Sequence, residues 1–164
     1  MLLFGMSVPN TKSVIMALAT SRMNWSSSQT DIMTLDNIND AEIAKLDMNG
    51  KQNTKKIVEF LPDDNDTNNS AWYCYNLEIE GFEEYKNQWY LPAAGEIYNY
   101  YHGNYTNIIQ AFTLLGMPGN FNVNFRSSTE KNHYTAWYVS PNAGTMSSHY
   151  NKLNAERASC LLVI

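Results

Sequence analysis

The alternation of apolar and polar residues is clearest late in the chain. Phe121, Val123 and Phe125 alternate with Asn122, Asn124 and Arg126, the period-two pattern of a strand with one wet face. That parity places Arg126 on the solvent side with Asn122 and Asn124. Ala136-Trp137-Tyr138-Val139 predicts another strand, and Asn142-Ala143-Gly144 a turn. Ala158 to Ile164 is apolar almost throughout, which predicts an interior strand. Two polar runs separate these elements, Lys131 to Thr135 and Thr145 to Glu156. Ser127, Ser128 and Thr129 are expected to bond nearby backbone, with Glu130 anchoring the turn.

The rest of the chain is mixed. Ser13 to Ala19 predicts a buried strand. Residues 26–50 show no clear period. Asp36 to Asp40 is turn-like, Ala41 to Leu46 suits one or two helical turns, and Asn49-Gly50 predicts a turn. Thr54, Ile57, Val58 and Leu61 share one helical face, and Pro62 ends that helix. Asp63 to Asn69 lacks the spaced ligands and glycine of a calcium loop, which favours a solvated loop. Ser70 is the expected cap of a short helix carrying Ala71, Trp72, Tyr73 and Cys74. Trp89-Tyr90-Leu91-Pro92 is extended, and a helix follows from Ala93 to about Tyr101, broken at His102-Gly103-Asn104. Tyr105, Ile108, Ile109, Phe112 and Leu115 form the stripe of a further helix, with Met117-Pro118-Gly119 as its exit turn. Helices in the middle and strands at both ends predict an α+β domain over 1–164, with both terminal strands in one sheet.

Composition narrows the function. Charged residues are 16% of the 164, against about 25% in ordinary soluble domains. The polar surface must therefore be largely Asn, Ser, Thr and Tyr, residues that suit adaptable binding surfaces. The net charge is −5 and Lys and Arg are not clustered, which excludes a nucleic-acid partner. No apolar run approaches the ~20 residues of a membrane span. Met1-Leu2-Leu3-Phe4 lacks the charged start and apolar core of a signal peptide, so the chain is expected to lack a leader or to be a mature form or excised domain. Cys74 and Cys160 both lie in apolar sequence, where a disulfide and two buried free thiols are both open.

Candidate chemistry is sparse. Ser127 and Ser128 have no Gly-x-Ser-x-Gly elbow, and no base is tied to them. His102, His133 and His149 are too dispersed for a zinc site and read as surface or rim positions. No phosphate-binding glycine loop is present, so no catalytic residue, metal or cofactor is expected. The polar runs are more informative. Lys-Asn-His-Tyr-Thr at 131–135 and Ser-Ser-His-Tyr-Asn at 147–151 use nearly one vocabulary. Tyr supplies rigid contact area and Asn, Ser and His supply hydrogen bonds. Hairpin loops favour Asn and Ser in any case, so the residues alone leave recognition and ordinary loops as alternatives.

Several blocks in order carry a resemblance. They are Asn49-Gly50-Lys51-Gln52-Asn53-Thr54, Ala71-Trp72-Tyr73-Cys74, Trp89-Tyr90-Leu91-Pro92-Ala93-Ala94-Gly95-Glu96, Phe125-Arg126-Ser127-Ser128-Thr129-Glu130 and Ala136-Trp137-Tyr138-Val139, with Gly144, Lys152 and Arg157. Together they resemble a family of bacterial and phage domains of unknown function, found in surface and fimbrial proteins. The resemblance implies a C-type lectin-like fold: α+β, a central antiparallel sheet with two or more flanking helices, and both terminal strands in that sheet. It implies a cell-surface, extracellular or virion setting and a protein or cell-surface ligand.

Some such domains resemble variable proteins of diversity-generating retroelements, in which adenine mutagenesis varies a C-terminal segment, here about 120–157. The implied ligand-binding positions are Asn122, Asn124, Arg126, Asn132, His133, Tyr134, Ser140, Asn142, Ser147, Ser148, His149, Tyr150, Asn151 and Asn154. His133, Tyr134, His149 and Tyr150 are expected to be exposed on one face, with Trp137 and Leu162 buried. A structural or adhesive domain without diversification is the alternative. Departures exist: Phe125-Arg126 stands where the family has Tyr-Trp, the ending after Arg157 is weakened, and the calcium-dependent sugar motifs of animal lectins are absent. Formylglycine-generating enzymes share a related fold and use a thiol pair. Cys74 and Cys160 have no activating neighbour in sequence, so a non-enzymatic binding module is the expectation.

Overall fold

The strand β6 (Glu156–Val163) sits inside a six-stranded sheet because it is apolar on both parities. Ala158, Cys160 and Leu162 join one core and Leu161 the other. The computed structural model describes residues 3–6, 13–62, 69–116 and 121–164. Met1-Leu2 of the opening segment, residues 63–68 of the acidic run and the exit turn at 117–119 lie outside the described residues.

β2 (Val14–Met23) flanks β6 antiparallel, with Ile15 opposite Leu162, and β1 (Leu3–Met6) pairs with β2 on its outer side. On the other side of β6 lies β3 (Phe125–Glu130), followed by β4 (Ala136–Ser140) and β5 (Thr145–Ser147). The strand order is β1-β2-β6-β3-β4-β5. The two terminal segments therefore meet in one sheet. The sheet is mixed, not antiparallel throughout, because β6 runs parallel to β3 through Phe125 and Arg157. The reason is the connection. From β5 at the sheet edge, the chain crosses β4 and β3 before entering as β6, and only a crossover can join strands into a parallel pair.

Among the described residues, five α-helices complete the α+β domain. α1 (Ala41–Ala44) is capped by Asp40, whose carboxylate accepts from the Glu42 and Ile43 amides. α2 (Gly50–Phe60) presents Ile57 and Val58, and α3 (Ser70–Tyr75) presents Ala71 and Cys74, to the core that holds Trp25 and Trp89. α4 (Ala94–Glu96) continues into a π-turn over Ile97–His102, and α5 (Tyr105–Leu114) follows. These supply Ile97, Tyr101, Ile108 and Phe112 to the second core, around Phe121 and Phe125. Asn49-Gly50 opens α2 instead of turning the chain. The cap of α3 is Asn69, whose side-chain oxygen accepts from Ala71 and Trp72, and Ser70 is the first helical residue. Leu115 falls beyond α5 and is exposed. Cys74 and Cys160 form a disulfide that ties α3 to β6 across 86 residues of sequence, worth about 2–4 kcal/mol by restricting the unfolded chain.

Two of the recognisable blocks interlock behind the sheet. Tyr90 exchanges both backbone hydrogen bonds with Leu161, at 2.9 Å each. The Pro92 carbonyl accepts from Ser128 N at 2.8 Å, and Thr129 Oγ1 accepts from Ala94 N at 2.8 Å. Thr129 Oγ1 itself donates to Asp47 at 2.7 Å. Glu96 accepts from Ala93 N and Tyr90 Oη. Gly95 and Gly50 are required by proximity. A Cβ on Gly95 would lie 2.5 Å from the Lys45 and Asp47 carbonyl oxygens, and one on Gly50 would lie 2.1 Å from Glu96 Oε2. Burial pushes Glu96 up to about 8, aided by Asp47 and opposed by its bonds to Ala93 and Tyr90.

Candidate binding face

The loops at 131–135 and 148–155 are built as one unit. Thr135 and Asn151 form a bridge, and Lys152 N donates to the Tyr134 carbonyl at 2.8 Å. Lys131 Nζ donates to Ser148 Oγ at 2.9 Å and lies over the Trp137 ring. His133, Tyr134, His149 and Tyr150 are exposed on these two joined loops, Tyr134 by 52% and Tyr150 by 42%. Trp137 and Leu162 are buried beneath. Tyr150 leans on the Tyr138 ring, with centroids 5.4 Å apart. The polar run read from Thr145 to Glu156 is thus not all loop, since its first three residues are β5.

Three of the candidate asparagines hold turns. Asn132 Oδ1 accepts from the Tyr134 and Thr135 amides, and Asn151 Oδ1 from the Leu153 and Asn154 amides. Asn154 Oδ1 accepts from Asn151 N at 3.0 Å. Their side chains shape the loops from which the His-Tyr pairs project. Ser147 and Ser148 are half-buried at the edge of the same unit.

Arg126 corrects the sequence expectation outright. It is fully buried, not on the surface with Asn122 and Asn124. The parity argument holds as far as it goes, because Phe125 enters the core and Arg126 takes the opposite side of β3. That side is covered. The loop crossing from β5 to β6 lies over it, and Arg126 Nη2 donates to the Asn154 carbonyl at 2.8 Å and the Asn151 carbonyl at 3.3 Å. Arg126 therefore positions the second loop. Burial draws its guanidinium down to about 10, which leaves it charged at neutral pH, while Glu156 and Tyr138 favour the cation. The predicted strand also starts later, at Phe125, with 121–123 forming a turn and bend.

Ser127, Ser128 and Thr129 are buried too. Ser127 Oγ accepts locally from Thr129 N at 3.3 Å, as expected, and the other bonds reach further. Ser127 Oγ donates to the Trp137 carbonyl at 2.7 Å, and Thr129 reaches Asp47, 82 residues away in sequence. Ser128 Oγ has no hydrogen-bond partner among the described residues. Glu130 pairs with Lys152 inside the protein, both side chains fully buried. Lys152 also donates to the Thr30 carbonyl and sits 4.5 Å from the Trp25 ring centroid. Burial pushes Glu130 up and Lys152 down, each against the other's stabilising charge. This pair pins the crossing loop to the frame. Lys152 belonged to the recognisable blocks, but nothing in the residues alone marked it as an internal partner of Glu130.

The remaining candidates gather at the other end of β3 and β4. Asn142 donates to Asn122 at 3.1 Å, and His102 Nδ1 donates to the Pro141 carbonyl at 2.7 Å, fixing the turn between β4 and β5. Asn122, Asn124, Ser140 and Tyr150 line a polar cavity of about 340 Å3 with Arg22, Glu156 and Arg157. Tyr150 therefore joins the cavity to the loop unit. Arg22 and Glu156 were missed because only the β2–β6 register, Arg22 opposite Arg157 and Met23 opposite Glu156, brings them there.

Among the described residues, no group of three or more His, Cys, Asp or Glu side chains is placed to hold a metal ion. No helix among them is long and apolar enough to cross a membrane. Cys74 and Cys160 are bonded to one another and fully buried, so neither presents a thiol.

Neither a protein-family model nor a curated protein matches the chain. A solved fimbrial protein from Bacteroides ovatus is similar in structure, with a TM-score of 0.54 at 16% sequence identity. The match covers 96% of this chain and 37% of that one. The chain thus spans little more than a third of that neighbour, and the likeness is one of fold.

Proposed function

We propose that this chain is a non-enzymatic adhesive domain of a bacterial surface or fimbrial-type protein, binding its target through the paired loops at 131–135 and 147–154. The observation that carries this reading is the fusion of the two loops. Two His-Tyr pairs project from a unit fastened below by Arg126, Lys152 and Glu130. Exposed aromatics on a rigid base supply contact area with little entropy to lose on binding. The fimbrial neighbour supports the surface setting by fold. A C-type lectin-like assignment belongs to the same proposal. It is supported by the β2–β6 pairing, the long crossing loop and the helices on both sides of the sheet.

The test is binding of the labelled domain to arrays of immobilised surface glycoproteins and glycans. The parent should bind at least one feature. A variant with His133→Ala, Tyr134→Ala, His149→Ala and Tyr150→Ala should lose it, while Glu83→Ala with Glu84→Ala should keep it. Retained binding by the loop variant, or none by the parent, rejects the reading.

Retroelement diversification of the same face is a second reading. One observation favours it: His133, Tyr134, Asn142, His149, Tyr150 and Asn154 are exposed, whereas Ser127, Glu130 and Lys152 of the same segment are buried. A near-identical template repeat differing at adenines, beside a reverse transcriptase gene, would establish it. A neighbourhood without that repeat rejects it.

A further inference from the structure

The cavity beside the loop unit has a charge opposite to that of the protein. Arg22 and Arg157 line it, and Arg126 is buried nearby, close enough to Glu156 for the two charges to interact. Glu156 is the one carboxylate among the described lining residues. None of the three arginines enters an ion pair with a described residue. Arg157 Nε and Arg126 Nε and Nη1 are buried with no hydrogen-bond partner among the described residues. Leaving one such donor unmatched costs about 1–3 kcal/mol; of these two arginines Arg157 lines the cavity, while Arg126 lies outside its lining. This occurs in a chain of net charge −5 with only 11 Lys and Arg. The described lining sets two arginines against one carboxylate, so a local positive charge remains that Glu156 offsets only in part.

The rest of the lining gives the shape of the ligand. Asn122, Asn124 and Ser140 offer amides and a hydroxyl, Tyr150 offers a ring, and Val123 is the one aliphatic side chain. A protein partner would be expected to seat an apolar anchor in such a centre, and this cavity has no apolar floor for one. A volume of about 340 Å3 lies at the small end of ligand clefts, which run from about 300 Å3 upward. A compact polyhydroxylated group bearing a negative charge meets all these conditions. Its carboxylate would take the arginine forks, its hydroxyls the amides, and its apolar ring face the Tyr150 ring.

We infer that this cavity is a subsite for the carboxylate of an acidic sugar residue, with Arg22 and Arg157 as its anion-binding groups. The inference rests on the adhesive reading, for which it names the ligand class. It also assigns Arg22, on a strand remote in sequence from the loops, to the binding site.

The test follows amide NMR spectra of the intact domain during titration with sodium glucuronate, glucose and sodium sulfate in parallel. Glucuronate should give saturable shifts at Ser140, Tyr150 and Arg157, with affinity falling as salt is raised. Glucose and sulfate should bind at least about tenfold more weakly, since each lacks half of the recognised chemistry. Arg22→Gln and Arg157→Gln should each weaken glucuronate by about tenfold or more. The Arg22 side chain is exposed, so its variant tests the site even where Arg157→Gln does not fold. Equal shifts from glucose overturn the inference because charge is then not recognised. Equal shifts from sulfate overturn it because the site is then a general anion site. Undiminished glucuronate binding by Arg22→Gln also overturns it. Should Arg22→Gln and Arg157→Gln retain full array binding while glucuronate does not bind, the subsite fails and the adhesive reading stands. Should the loop variant alone retain array binding, the adhesive reading fails.

Discussion

Residues 126–130 and 131–135 are consecutive, both polar, and end in opposite places. Arg126 to Glu130 is buried at every position, whereas His133 and Tyr134 a few residues later are exposed. Polarity does not separate them, because Arg, Ser, Thr and Glu are at least as polar as Asn, His and Tyr. Partners separate them. Ser127, Thr129 and Glu130 meet Trp137, Asp47 and Lys152, and a buried polar group is tolerated when it is hydrogen-bonded. Asn132 turns its side chain back onto its own loop, which leaves the His-Tyr pair to solvent. The first run fastens the frame and the second is presented by it.

The contrast is broken most severely at Glu130. Glu130→Ala leaves the Lys152 cation buried and uncompensated, and should cost about 3–5 kcal/mol in urea unfolding. It should also release the loop at 148–155, visible as faster amide exchange at Leu153 and Asn154. Stability changed by less than 1 kcal/mol (about the scale of an exposed pair) would mean that the pair does not pin the loop.

Glu96 lies on the buried side of the comparison and gives it a pH dependence. Its folded value of about 8 exceeds the ordinary 4.5, so the folded state binds the proton more tightly. Its contribution is fully present below pH 4.5 and is lost as pH rises towards 8 and beyond. Wild type should lose about 3 kcal/mol between pH 5.5 and 8.5 from this group. Glu96→Gln, which keeps an acceptor for Ala93 N and removes the titrating proton, should flatten that slope. Parallel slopes in the two proteins would remove Glu96 as the cause. The smallest effect belongs to the exposed side. His133→Ala and Tyr134→Ala should each shift unfolding by no more than about 0.5 kcal/mol, and a larger loss would make those residues part of the frame.

The fold was legible wherever one period governed a whole segment. Apolar residues on both parities announced β6, and helical spacing announced α2 and α5. β1 and β5 are too short for a period, and residues 26–50 are held by single contacts such as Trp137 Nε1 to the Ile38 carbonyl. The loop face was legible from its vocabulary, but its depth was not. Alternation states that Arg126 opposes Phe125; it does not state what covers the opposite side. That cover is set by the strand order, and no local pattern encodes the crossing from β5 to β6. The same order hid Arg22, which reaches the cavity only through its register with Arg157.

The position of β6 carries a consequence for assembly. It follows the other five strands in sequence yet lies between β2 and β3. Without β6 the strand order divides into two parts, β1-β2 and β3-β4-β5, each left with an unpaired backbone edge. Such edges are templates for pairing with foreign strands. They are closed by the one segment that also carries Cys160, so oxidation to Cys74 seals the sheet with the strand that completes it. The pairing of β6 with β2 and β3 covers both edges, and the disulfide ties that closing strand to α3.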